Sequence, residues 1–109
     1  MDDRQTASED GFAVALASLR DAYERAAAVI HRDSQAQHAF ESSTALADML
    51  RQLAEYAASL RARTAARIAA EEKLSLSVLA ARIGVSKQRA DQLIKSAKDT
   101  DLNRTQEGE

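Results

Sequence analysis

Lys87, Gln88, Asp91, Gln92 and Lys95 recur at steps of one and three, so a helix carrying them gathers all five on one face, with Arg89 at its edge. These side-chain types read nucleic-acid bases. Lysine donates to guanine acceptors, glutamine pairs with adenine through two hydrogen bonds, and a carboxylate such as that of Asp91 accepts from the cytosine amino group. Ala90, Leu93 and Ile94 occupy the opposite face and would hold such a helix against a core. Ser86 comes just before it, where a hydroxyl can cap the helix and where free N–H groups favour a phosphate. On this reading Lys87, Gln88, Asp91 and Gln92 contact bases, while Ser86, Arg89, Lys95, Arg82, Arg61, Arg63 and Arg67 contact phosphates.

A second, shorter helix is needed to position that face, and the preceding residues supply one. Ser75 or Ser77 can cap it, and Leu79, Ala80 and Ile83 form its buried stripe. Gly84 then ends it by taking a left-handed conformation, Val85 folds back as the apolar plug of the turn, and Ser86 restarts the chain. Ala80 is small, as a close crossing of two helices requires.

The stretch from Leu76 through Gly84-Val85-Ser86-Lys87-Gln88-Arg89 to Lys95 resembles a helix-turn-helix DNA reader. It is similar to the promoter-reading C-terminal domain of sigma factors and to the small bacterial repressors that share the motif. The match rests on Leu79, Ala80, Ile83, Gly84, Val85 and Leu93, with Ala90 standing where the family usually carries a branched residue. The resemblance implies double-stranded DNA as partner, with the second helix of the motif entering the major groove N-terminus first.

Charge is partitioned along the chain in a way that the net value of −2 conceals. Residues 1–60 hold five basic side chains against ten acidic ones. Residues 61–98 hold nine basic side chains against Glu71, Glu72 and Asp91, a net of +6 on the segment that contains the motif. The last eleven residues return to −3. Counterion release depends on the charge facing the phosphates, so a basic module on an acidic carrier remains compatible with DNA.

At 109 residues without proline or cysteine, and with three glycines, the chain has room for one small domain, alone or with an extension, and is expected to be all-α. The absence of cysteine excludes disulfides and thiolate metal sites. Met1-Asp2-Asp3-Arg4-Gln5 is acidic where a secretory signal would be basic and then apolar, and no apolar run approaches membrane-spanning length, so a soluble, cytoplasmic protein is expected, nucleoid-associated if the DNA reading holds. His31 and His38 lie seven residues apart across a predicted break with no carboxylate at ligand spacing, and Glu71-Glu72 point in different directions on a helix. No metal site, cofactor or enzymatic chemistry is expected.

The N-terminal half reads as two helices. Phe12, Leu16, Leu19, Tyr23, Ala26 and Ile30 alternate steps of four and three, a heptad-like seam. A break is expected near His31-Arg32-Asp33-Ser34, with Ser34 and Gln37 as a capping box for the next helix. That helix carries Phe40, Leu46, Leu50, Leu53, Ala57 and Leu60 as a stripe, widened by Met49 and Tyr56, and meets no breaker before Leu74-Ser75. Glu41-Ser42-Ser43-Thr44 is its weak point.

The expected organisation is a disordered N-terminus at 1–9, a helical hairpin or coiled-coil-like dimerisation region at 10–60, a three-helix helix-turn-helix unit at 61–97, and a disordered acidic tail at 98–109. One such unit contacts few base pairs, so a symmetric homodimer through the N-terminal helices, in a four-helix arrangement, is expected. Tyr23, Tyr56, Phe12 and Phe40 sit at seam spacing and are assigned to packing rather than base stacking. The function that emerges is a sequence-reading DNA-binding protein, either a transcriptional regulator or a nucleoid-associated protein. The alternative is an adaptor that binds a protein of the transcription machinery through its long helices and uses the motif as a scaffold.

Overall fold

The computed structural model describes the backbone from Asp3 to Glu107 and the side chains of residues 9–99. It is all-helical over the described residues: α1 spans Asp3–Arg32, α2 Ala36–Glu72, α3 Leu76–Ile83 and α4 Lys87–Glu107. By contacts the chain divides into two units, Met1–Leu50 and Arg51–Glu109, and the division falls inside α2. Helical backbone begins at Asp3 and continues to Glu107, where the sequence reading placed disordered ends. Neither residues 3–9 nor residues 98–107 contain the glycine or proline that would stop a helix. Met1, Asp2, Gly108 and Glu109 lie outside the described residues.

The break between α1 and α2 falls where expected, but Asp33 organises it instead of the anticipated Ser34 and Gln37 pair. Asp33 Oδ1 accepts the Gln35 N–H at 2.9 Å, and Oδ2 meets His38 Nδ1. Gln37 turns its amide forward to Glu41 Oε1 at 3.3 Å. A carboxylate accepts more strongly than a hydroxyl, which explains the exchange of roles. The His38 contact, then the Gln35 N–H, holds the Asp33 carboxyl below its ordinary 3.8. A depressed carboxyl adds stability that is present above the ordinary value and lost as pH falls through the lowered one. Titration of the Asp33 carboxyl by NMR should therefore give a midpoint below 3.8; a midpoint at or above 3.8 contradicts the assignment.

Helix α2 is unbroken over 37 residues, about 55 Å at 1.5 Å per residue. The helix runs through its weak point, where Ser43 Oγ donates to the Ala39 carbonyl at 2.8 Å and Thr44 Oγ1 donates to the Phe40 carbonyl at 3.1 Å. Those hydroxyls bond back into the helix instead of recapping it.

All the buried hydrophobic side chains among the described residues belong to the second unit: Ala62, Ala65, Leu79, Ala80, Ala90, Leu93 and Ala97. Ala62 and Ala65 of α2 cluster with Leu93 and Ala97 of α4. Leu79 and Ala80 of α3 cluster with Ala90 of α4, and Ile68, Ala69, Leu74, Leu76, Val85 and Ile94 pack around them. Ile83 touches both clusters. Alanine at most of these points lets the helix backbones approach closely, since interaxial distance follows the side chains at the contact.

Lys73 closes α2 in the left-handed region, with φ 52°, and the Leu74 N–H bonds back to the Ala69 carbonyl at 2.9 Å. Such a C-terminal cap normally recruits glycine. Ser75 then caps α3, its Oγ accepting the Val78 N–H at 3.3 Å.

Candidate nucleic-acid interface

The turn between α3 and α4 is built from three residues, each with a separate task. Gly84 takes φ 74° and ψ 36°, a conformation that would strain a side-chain-bearing residue, and its N–H returns to the Ala80 carbonyl. The Val85 N–H reaches the same carbonyl at 3.0 Å, and the half-buried Val85 side chain packs on the Leu79, Ala80 and Ala90 cluster. Ser86 opens α4: its Oγ accepts the Arg89 N–H at 3.0 Å and its carbonyl accepts the Ala90 N–H at 2.9 Å. The N–H groups of Lys87 and Gln88 remain at the helix end without an intrahelical acceptor.

Burial divides α4 into two faces. Ala90, Leu93 and Ala97 are buried and Ile94 is half-buried, whereas Lys87, Gln88, Arg89, Gln92 and Lys95 are exposed and Asp91 is intermediate. Ala97 extends the inward face one turn beyond the residues that periodicity singled out. The polar face is not uniformly open, because Lys95 Nζ lies 3.0 Å from Asp91 Oδ2. One residue assigned to bases thus occupies a cation assigned to phosphates.

The arginines are unequal. Arg67 Nε donates to Glu71 Oε1 at 2.8 Å, which holds the guanidinium pKa above its ordinary value. Arg82 Nη1 donates to both carboxylate oxygens of Glu72 at 2.8 Å and ties the end of α2 to α3. Both pairs are well exposed and screened by water, so either arginine can readily exchange its carboxylate partner for another anion. Arg61 is exposed, and the Nε of Arg63 is covered without a hydrogen-bond partner. Sequence spacing gives no sign that Glu72 reaches ten residues on to Arg82.

The assembled chemistry is that of hydrogen-bond donors and acceptors on an anchored helix. Among the described residues no three His, Asp or Glu gather as metal ligands, and no helix is long and apolar enough to cross a membrane. Compared with known protein families, with curated proteins and with solved structures, the chain gives no match to any of them.

Proposed function

We propose that this protein binds double-stranded DNA, with α3, the Gly84 turn and α4 acting as a helix-turn-helix and α4 entering the major groove. The observation that carries the reading is the split of α4. Ala90, Leu93 and Ala97 anchor it, while Lys87, Gln88 and Gln92 stand exposed at its N-terminal end, on the segment of net charge +6. Those three side chains and Asp91 read base edges, in a chromosomal regulator or nucleoid-associated protein. Ser86, Arg89, Lys95, Arg82, Arg61, Arg63 and Arg67 set the register on phosphates.

Fluorescence anisotropy against random-sequence duplex DNA tests this directly. If all six cations engage phosphates, affinity should fall roughly 10³-fold between 50 and 200 mM salt. No binding at 50 mM salt would overturn the proposal and leave the α3–α4 pair as a scaffold for protein contacts. Selection from random oligonucleotides would then separate a regulator with one strong site from a protein with a short, frequent one.

A further inference from the structure

The described part of the first unit has no buried core of its own. No described side chain from residue 9 to residue 50 is buried, and Phe12, Leu16, Leu19, Tyr23, Val29, Phe40, Met49 and Leu50 are 41–68 % exposed. At roughly 200 Å² per large apolar side chain, the uncovered apolar area is on the order of 900 Å². One partner in a stable interface contributes about 800 Å². Between α1 and α2 lies an apolar groove of about 390 Å³, lined in part by Tyr23, Ala27, Ile30, Leu46 and Leu50. Exposed aromatic side chains and a groove to receive them occur on the same unit.

We infer that a second copy of this chain covers this face, with the two α1 helices antiparallel. The spacing of the α1 seam carries the inference. Phe12, Leu16, Leu19, Tyr23, Ala26 and Ile30 are separated by four, three, four, three and four residues, a series that reads the same in both directions. Reversing one helix brings Phe12 opposite Ile30 of the second copy, Leu16 opposite Ala26, and Leu19 opposite Tyr23, so every seam residue meets another under one twofold axis. Phe12 thereby arrives at the end of the groove that Ile30 lines. Ala15, Ala22 and Val29 flank the seam and permit close approach.

Charge selects the direction. Glu9 and Asp10 stand towards the N-terminal end of α1 and Arg32 in its last turn. Antiparallel pairing sets these opposite charges and the opposite ends of the helix dipoles together, whereas parallel pairing sets like against like. The pairing goes beyond DNA recognition and does not depend on it.

The absence of cysteine makes the test direct. Sedimentation of the full chain at micromolar concentration should give twice 11.8 kDa. Phe12→Cys and Ile30→Cys variants, mixed under mild oxidation, should form disulfides with each other and not with themselves, since two copies of residue 12 would lie about 27 Å apart along the paired helices. Leu19→Glu should return the chain to 11.8 kDa, and because Leu19 is 58 % exposed in its own chain the variant removes little that the isolated chain uses. Disulfides between like variants indicate parallel pairing and overturn the proposal. So does a Leu19→Glu chain that stays at double mass, or an unaltered chain at 11.8 kDa, which would leave the face to a different protein. None of these measurements uses DNA, so their failure and the failure of DNA binding are separate results.

Discussion

Leu79→Ala should lower the unfolding free energy of the second unit by about 2–5 kcal/mol, the range for emptying a buried leucine site. Leu79 is 1 % exposed and is the largest fully buried side chain among the described residues. Its neighbours give it little chance of compensation. Ala80 and Ala90 beside it have no side-chain length with which to fill a cavity, and Ile68, Leu74, Leu76 and Ile83 are already placed around the cluster. A small domain holds about 5–15 kcal/mol in total, so the loss is a large fraction of what is available. Urea denaturation followed by circular dichroism, together with amide exchange over residues 76–97, measures it. A loss under 1 kcal/mol would mean that the Leu79 cluster does not hold α3 to α4.

The second large effect concerns the division of work along α4. Gln88→Ala should weaken binding to a selected site by about 1–3 kcal/mol and leave random-sequence affinity nearly unchanged. Lys95→Ala should weaken binding to every sequence and reduce the salt slope by about 0.9. Its ion pair adds a further consequence: removing Lys95 strips Asp91 of its partner at 3.0 Å and leaves a bare carboxylate on the polar face. The loss should therefore exceed that from Arg61→Ala, which leaves no partnered carboxylate behind. Asp91→Asn makes the complementary case, raising affinity on random DNA by releasing Lys95. Paired titrations at two salt concentrations distinguish these outcomes, and equal losses from Gln88→Ala and Lys95→Ala on all sequences would contradict the assignment.

Much of this architecture could be read from residue types because its signals are local. Gly84 and Ser86 mark a stop and a start within three residues, and the structure forms the left-handed cap and the serine cap there. The length of α2 followed from the lack of breakers, and the hydroxyls of Ser43 and Thr44 found acceptors within their own helix. What escaped depends on competition or reach. Ser34 and Asp33 are adjacent candidates for one junction, and only the position of His38 shows why the carboxylate prevails. Lys73 in a left-handed cap carries no sequence signature, because glycine is the residue that announces one. The Arg82 to Glu72 pair spans ten residues and needs the turn between α2 and α3 already in place. At the candidate site the exposed face of α4 was legible from periodicity, but its internal neutralisation by Asp91 and Lys95 was not.

The buried side chains among the described residues of the second unit are five alanines and two leucines. Alanine brings helices together but removes little apolar area from water, so the folded unit gains modestly from its own interior. On the proposed DNA-binding reading, its abundance would then be coupled to occupancy. A ligand that binds only the folded form adds about 2.7 kcal/mol when present at a hundred times its dissociation constant, a large share of a small domain's total. Chains without a partner would spend more time open to proteases, and the pool of intact protein would rise and fall with the number of sites it can fill.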